Sequence, residues 1–289
     1  MKFGANCSES FSARPLPGDH VRLAQHIESL GYSTLWLGDH IAIPPDADVE
    51  NYPYDTASFK PQCSWPDQFI VLAAAANATT RIRLGTGVTV APYRQPIQLA
   101  QTIATLDLIS GGRFVLGVGV GWSQKEFEAL GVPFNQRGAR TNESIRVLRA
   151  LWQDEVREIA SPSLPDSGAR LTVFPWQKPS PKILIGGEGD PMIRRTAELG
   201  DGIQCLYKSP EELRNLLDSL RREMDRRGRN MDALEITLVT DDVEHVLHNF
   251  HQIRELQELG VSEVVFSPKV YDLERSMRLW ETIANSVLA

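Results

Sequence analysis

The stretch IRLGTGVTV, from Ile82 to Val90, begins as a β-strand and then departs from the strand pattern. Gly87 interrupts its β-branched run, and Pro92 prevents the strand from continuing. Apolar residues then recur at intervals of three and four on one helical face, at Ile97, Ala100, Ile103, Ala104 and Leu108. The stretch therefore predicts a strand with an internal irregularity, followed by an amphipathic helix.

The same strand-and-helix unit recurs along the whole chain. Eight short apolar runs predict strands, which begin at Lys2, Thr34, Ile82, Arg113, Lys182, Gly202, Leu234 and Ser262. Eight strands that each feed a helix favour a closed (β/α)8 TIM barrel, which typically takes about 250 residues. An open doubly wound α/β sheet is the alternative, but the first strand–turn–helix lacks the G-x-G-x-x-G pattern of that fold.

We expect a single domain over residues 1–289, with one irregular insertion at 156–182 between the fourth and fifth strands. This insertion is rich in proline and serine, and two β-like pieces flank a turn around Pro165. It forms either a hairpin that covers a site as a lid or a passive surface loop.

The bulk composition limits the classes of function. With 289 residues, of which 42% are hydrophobic, and a net charge of −7, the chain can bury a sizeable core and does not suggest a nucleic-acid surface. Cys7, Cys63 and Cys205 are far apart and lack a CxxC spacing, which indicates a reducing compartment. The chain shows neither a signal peptide nor an apolar run of about 18 residues. We therefore expect a cytoplasmic protein with a small-molecule substrate and no nucleic-acid or membrane partner.

Two further patterns concern metal binding and assembly. A spacing of three residues suggests a metal site at His245, His248 and His251. The helix from Asp242, however, is predicted to place these histidines on its solvated face. That helix would bury Val243, Val246, Leu247, Phe250 and Ile253. We therefore predict no metal site.

The alanine-rich helix from Phe69 fits a homodimer interface as readily as barrel packing. No G-x-S-x-G elbow supports a serine nucleophile.

In a barrel of this kind, the chemistry lies at the carboxyl ends of the strands. The second predicted strand ends in Asp39 and His40. An imidazole titrates near neutrality and an adjacent carboxylate can fix its tautomer, so this pair suits proton transfer. A histidine that merely caps the strand is the alternative.

Glycines follow three of the strands and mark a second candidate feature. They are Gly87, then Gly117, Gly119 and Gly121, then Gly186 and Gly187. Glycine lets a flat ligand or a phosphate approach the main chain closely. The helix after Gly187, which contains Arg194 and Arg195, would add an anion site at its first amides. Tight barrel turns explain the glycines equally well.

Four segments together resemble the bacterial luciferase-like family, and within it the short oxidoreductases that use the deazaflavin coenzyme F420. They are GYSTLWLGDH (31–40), RIRLGTGVTVAPYRQP (81–96), LDLISGGRFVLGVGVGWSQKEFEALGV (106–132) and ILIGGEGDPMIRRTAELGDG (183–202). The resemblance covers nearly the whole chain, and the segments are specific only in combination.

The resemblance implies a role for each candidate residue. His40 would be the proton donor or acceptor beside the reactive ring, with Asp39 next to it. A bulge with a cis peptide at Gly87–Val88 would support the ring. The cofactor-binding set would be Asp39, Thr86, Gly87, Val88, Gly117, Gly119, Gly121, Gly186 and Gly187, with the last two on the ribityl-phosphate side.

The substrate pocket departs from one branch of that family. The sugar-phosphate dehydrogenases carry a glutamate directly after the glycines of the fourth strand, where this chain has Trp122. Trp122 therefore indicates an apolar or aromatic pocket, with Tyr93 as its second predicted residue; the alternative is that Trp122 packs against the lid.

The expected reaction is hydride transfer between F420 and a small apolar or aromatic substrate. One alternative is an FMN-dependent monooxygenase that uses reduced flavin and oxygen. The other is a barrel that binds flavin without turnover.

Overall fold

The structure, a computed structural model, describes residues 1–11, 14–43, 64–153 and 170–288. Its strands are β1 (Lys2–Asn6), β2 (Thr34–Leu37), β3 (Arg83–Thr86), β4 (Thr89–Val90), β5 (Phe114–Gly119), β6 (Ile183–Gly186), β7 (Gly202–Leu206), β8 (Glu235–Thr240) and β9 (Glu263–Phe266). Its helices are α1 (Asp19–Ser29), α2 (Gln68–Ala78), α3 (Pro96–Ile109), α4 (Gln124–Ala129), α5 (Arg137–Leu151), α6 (Gly189–Leu199), α7 (Pro210–Asp225), α8 (Val243–His248), α9 (Gln252–Glu258) and α10 (Leu273–Val287).

Eight of these strands form a closed parallel ring. The ring runs β1, β2, β3, β5, β6, β7, β8 and β9, and it closes where β9 pairs with β1. The strand β3 pairs directly with β5, through Leu84 opposite Phe114. The short strand β4 also pairs with β5 and continues the path of β3. The predicted (β/α)8 TIM barrel is therefore confirmed, with the predicted third strand divided into two parts.

The barrel interior is filled by side chains from alternate strand positions. Trp36 is fully buried there, together with Val115, Leu184, Val239 and Val265. Gly85 on β3 makes room for the indole, because a Cβ at this position would lie 2.4 Å from Cε3 of Trp36. A second, larger apolar layer lies between the outward faces of the strands and the helices. The site above the barrel thus rests on a packed floor.

The irregularity after β3 is a bulge made by Gly87 and Val88. Strict alternation would turn Val88 away from the barrel interior, because Gly85 and Gly87 both face inward. The Val88 methyl groups instead lie between Gly119 and Gly186, where added Cβ atoms would approach them to 2.6 and 2.5 Å. The Gly87–Val88 peptide bond is cis, as predicted. The bulge therefore aims Val88 into the barrel mouth.

Two predicted apolar faces are wrong in detail. Leu108, assigned to the buried face of the helix after the third strand, is 43% exposed near the end of α3. The helix predicted from Asp242 is divided into α8 and α9, and Phe250 between them is 37% exposed. The histidines of that segment are exposed, as expected. Within the described ranges, no group of His, Cys, Asp and Glu is arranged to hold a metal ion.

The insertion is described only in its second part. Residues 170–182 contain neither strand nor helix. Gln177 anchors them at the amino-terminal end of β5, where its side chain donates to the carbonyl of Phe114 at 2.7 Å. The turn around Pro165 lies outside the described residues, so the hairpin stays a prediction. No helix in the described part of the chain is long and apolar enough to cross a membrane.

Candidate active site

A cavity of about 260 Å³ opens at the carboxyl ends of the strands. Predicted site residues that line it are Asp39, His40, Gly87, Val88, Tyr93, Gly119, Gly121, Trp122, Gly186 and Gly187. Thr86 and Gly117 are not part of this lining, and the Thr86 hydroxyl donates to the Gly117 carbonyl at 2.8 Å. The fold therefore brings most of the predicted set to one place.

His40 is held by a carboxylate from another element. Its Nδ1 lies 2.9 Å from Oε2 of Glu126, and the Glu126 side chain is only 1% exposed. An ionised carboxylate at this position places the imidazole proton on Nδ1, which leaves Nε2 as the basic nitrogen. This arrangement orients a histidine for proton transfer.

The Glu126 carboxylate is itself saturated with donors. Its Oε1 accepts from the amides of Ile41 at 2.7 Å and Ala42 at 3.2 Å, and its Oε2 accepts from the Tyr93 hydroxyl at 3.0 Å. Burial opposes ionisation, but the hydrogen bonds and charge of His40, with those two amides, outweigh it and hold the pKa of Glu126 below its ordinary value. Glu126 is therefore a carboxylate at neutral pH.

Tyr93 acts as a donor in this cluster. Burial and the adjacent Glu126 carboxylate raise the pKa of Tyr93, so its hydroxyl stays protonated. Its ring packs edge-on against Phe127, with the ring centroids 4.8 Å apart. Tyr93, predicted as a pocket residue, thus both lines the cavity and fixes Glu126.

Asp39, the other member of the predicted pair, faces a different set of partners. Its Oδ1 accepts from Arg94 at 2.9 Å and its Oδ2 from the Val90 amide at 2.9 Å. A second Arg94 nitrogen donates to Oδ2 at 2.5 Å, which makes the pair bidentate. These contacts fasten the end of β2 to the segment after the bulge. Asp39 therefore fixes the backbone from which His40 projects.

Aromatic rings enclose His40. The Trp65 ring lies edge-on at 4.7 Å and the Trp122 ring at 6.0 Å, measured between ring centroids. Both tryptophans line the cavity. Two indole rings therefore border the proton-transfer group at the cavity, and one of them belongs to Trp122, which was predicted to be a pocket residue.

The glycines around the cavity mostly accommodate protein atoms. Gly119 and Gly186 make room for Val88, and a Cβ on Gly121 would lie 2.7 Å from both Val90 and Phe127. Gly187 differs, because its φ is 125° and an added Cβ would meet no atom nearer than 3.9 Å. The prediction that glycine exposes main chain to a ligand fits Gly187 best.

The anion site predicted at the start of α6 is only partly assembled. Neither predicted arginine lines the cavity: Arg194 is exposed, and Arg195 donates to Oδ1 of Asn142 at 2.6 Å. Glu188 stands before the helix and pairs with Lys208 at 2.7 Å. Of this segment, only Gly187 and Glu188 line the cavity, so the anion site stays a prediction.

Two cavity residues, Trp65 and Gln204, have buried polar atoms without a hydrogen-bond partner among the described residues. Gln204 on β7 is 5% exposed, and neither its Oε1 nor its Nε2 has a partner among the described residues. A Cβ added to Gly87 would be 3.3 Å from Nε2 of Gln204, which shows that the amide lies beside the bulge. The bulge, the open backbone at Gly187 and this amide fit a flat ring with a polar edge.

The chain belongs to the family described as luciferase-like monooxygenases, whose model matches residues 1–262. An uncharacterised protein of Mycobacterium tuberculosis is 30% identical over 93% of this chain and 94% of its own length. The phthiodiolone/phenolphthiodiolone dimycocerosates ketoreductase of the same organism is 30% identical over 80% of this chain and 64% of its own length.

Two solved structures share the fold. An F420-dependent secondary alcohol dehydrogenase, determined with an F420–acetone adduct, superposes with a TM-score of 0.75 at 17% identity, over 99% of each chain. The monooxygenase RslO1 of Streptomyces bottropensis superposes with a TM-score of 0.72 at 21% identity, over 100% of this chain and 99% of its own. These likenesses confirm the barrel fold.

Sequence reasoning missed Glu126 and Gln204. Glu126 follows Ser123 by three residues, which is the pattern of a capping box and suggests only a local role. The Ser123 hydroxyl does accept from the Glu126 amide at 3.3 Å, but the carboxylate bonds to His40 and to the segment after β2. For Gln204, the available signal was a polar residue at an inward position of the apolar strand GIQCL.

Proposed function

We propose that this protein is an F420-dependent oxidoreductase that interconverts a small apolar or aromatic ketone and its secondary alcohol. The observation that carries the proposal is the His40–Glu126 pair, with 2.9 Å between Nδ1 and Oε2, set between two tryptophans at the cavity. Such a pair suits a substrate whose hydroxyl loses or gains a proton.

The protein's part in the reaction is proton transfer and orientation. In the oxidative direction, Nε2 of His40 accepts the hydroxyl proton, and the Glu126 carboxylate stabilises the resulting imidazolium. In the reductive direction, the imidazolium returns the proton to the carbonyl oxygen. When bound, F420 supplies the two-electron hydride acceptor or donor.

The groups that would hold the cofactor are those of the inner cavity wall. The bulge at Gly87–Val88 and the backbone at Gly187 would border its ring system, and the amides of Gly187 and Glu188 would take its phosphate side. Val88 would present an apolar side chain, braced by Gly119 and Gly186. Asp39 would fix the position of this wall relative to His40, because its carboxylate accepts a hydrogen bond from the Val90 amide.

The substrate class is supported by the character of the pocket and by two names. Trp65 and Trp122 leave an aromatic surface beside the imidazole. A sequence relative is named as a ketoreductase, and a protein of the same fold as a secondary alcohol dehydrogenase. Both names describe chemistry that needs a hydride and a proton.

The test is an anaerobic turnover assay with F420 and a panel of aliphatic and aryl secondary alcohols, run in reverse with reduced F420 and the matching ketones. We expect loss of F420 fluorescence with alcohols and its return with ketones, with equimolar ketone or alcohol formed. Substrate-dependent oxygen consumption with reduced FMN, and no turnover with F420, would favour a monooxygenase instead. Binding of either cofactor without turnover across the panel would contradict the ketone–alcohol assignment.

A further inference from the structure

The buried amide of Gln204 is the strongest unexplained feature of the cavity. Its side chain points into the barrel mouth from β7, next to Gly87 and Gly117, and it lines the cavity. It is 5% exposed, and both of its polar atoms lack partners among the residues that the structure describes. A buried amide without partners destabilises a folded protein, so a retained one calls for a ligand or a water.

The surrounding residues show that the amide is not held for packing. Gly117 carries no side chain, and a Cβ there would lie 2.7 Å from Oε1 of Gln204. Gly87 likewise leaves room beside Nε2. Both glycines thus present bare backbone to the amide from across the barrel, and neither makes a hydrogen bond to it. An apolar residue of the same length would fill the same space at no cost in hydrogen bonds.

A carboxamide presents one donor and one acceptor side by side, in either of its two orientations. Such a pair is complementary to a ligand edge that offers a carbonyl oxygen next to an N–H, as in the bidentate pairing of glutamine with a nucleobase. An imide ring edge, C(=O)–N(H)–C(=O), has this arrangement. The pyrimidinedione rings of F420 and FMN both carry it.

We propose that Gln204 is the residue that positions the cofactor, by pairing with the imide edge of its pyrimidinedione ring. In this pairing Nε2 donates to a ring carbonyl and Oε1 accepts from the imide N–H. The inference rests on the proposed function, since it needs a cofactor of this ring type in the cavity. It applies equally to F420 and FMN, so it does not depend on which of them the protein uses.

The test is a chemical double-mutant cycle read by binding. Wild type, Gln204→Met and Thr237→Val are titrated by fluorescence quenching with the tighter-binding cofactor, F420 or FMN, and with the same cofactor methylated at the imide nitrogen. Thr237 is the matched control: it is opposite Gln204 in the β7–β8 register, its buried hydroxyl has no partner within the described ranges, and it does not line the cavity.

We expect methylation to weaken binding to the wild type and to Thr237→Val by at least tenfold. Gln204→Met should weaken binding of the parent cofactor by at least tenfold, and methylation should then change its affinity by less than twofold. The melting temperature of cofactor-free Gln204→Met should equal or exceed that of the wild type, because an unpaired buried amide has been removed. A merely structural amide would not give this combination.

Other results separate the two proposals. If the wild type binds neither F420 nor FMN, the proposed function fails. If it binds one of them and Gln204→Met binds that cofactor as tightly, the amide is satisfied by water and this inference is overturned, whereas the proposed function stands wherever that cofactor is F420. Equal losses on methylation in wild type and Gln204→Met would also overturn it. If Gln204→Met does not fold, Gln204→Glu takes its place, and it should lose at least tenfold in affinity.

Discussion

Nδ1 of His40 lies 2.9 Å from Oε2 of Glu126, so the candidate proton-transfer residue is oriented by a glutamate 86 positions along the chain. The two residues come from different elements: His40 follows β2, and Glu126 belongs to α4. The same carboxylate also holds the amides of Ile41 and Ala42. The segment that carries the imidazole and the tautomer of the ring are therefore set by one buried group.

The His40 side chain should be needed for turnover and not for cofactor binding. We expect His40→Ala to lower kcat by ~10²-fold or more, because it removes the proton donor or acceptor, and to change cofactor affinity by no more than a few fold. Steady-state kinetics and a fluorescence titration on the same preparation measure both. Unchanged turnover with an accepted substrate would assign His40 to packing.

Glu126 should make stability depend on pH in the acid range. Its pKa in the folded protein is held below the ordinary 4.5, so its contribution is fully present above that value and is lost as the pH falls through the folded pKa. We expect Glu126→Gln to lower the free energy of unfolding by about 2 kcal/mol near neutrality, because the new amide N–H₂ faces two donors, His40 and Tyr93.

Urea unfolding at a series of pH values checks this expectation. The difference between wild type and Glu126→Gln should be constant above about pH 5 and should shrink at lower pH. A difference that stays constant into the acid range would show that folding does not lower the pKa of Glu126.

Gly87 should be required for the cofactor more than for the fold. An added Cβ would lie 3.3 Å from Nε2 of Gln204, on the side where that amide borders the cavity. We expect Gly87→Ala to weaken cofactor binding by at least tenfold, about 1.4 kcal/mol, with a smaller change in the stability of the cofactor-free protein. A loss of stability of about 1 kcal/mol with unaltered binding would mean that Gly87 only relieves crowding in the strand.

The glycines on β5 and β6 should be needed to accommodate Val88. A Cβ on Gly119 would lie 2.6 Å from a Val88 methyl carbon, so Gly119→Ala should destabilise the protein by about 2 kcal/mol through overpacking. The double variant with Val88→Ala should recover most of that loss, because the clashing methyl groups are gone. Thermal unfolding of both single variants and the double variant gives the coupling energy. Additive losses would show that Gly119 serves another purpose.

The order of strands and helices was predictable because each strand is a short apolar run bounded by glycine or polar residues, and parallel β/α units leave a regular pattern. The irregularity at Gly87 was predictable from a glycine within a β-branched run, but its cis peptide was predictable only through family resemblance. Glu126 was not, because its local sequence fits a helix cap and its contact with His40 depends on the fold. Leu108 and Phe250 were wrongly predicted to be buried. Helical periodicity shows which residues share a face, but not where a helix extends beyond the surface it packs on or where it ends.

Cofactor choice decides which reaction this protein catalyses, and one titration tests it. Purified protein is titrated with F420 and, separately, with FMN, and binding is followed by quenching of the cofactor's fluorescence. We expect F420 to bind with a Kd in the micromolar range or tighter, and FMN to bind distinctly more weakly. Tighter binding of FMN, with substrate-dependent oxygen uptake after its reduction, would contradict the assignment of F420 as the cofactor.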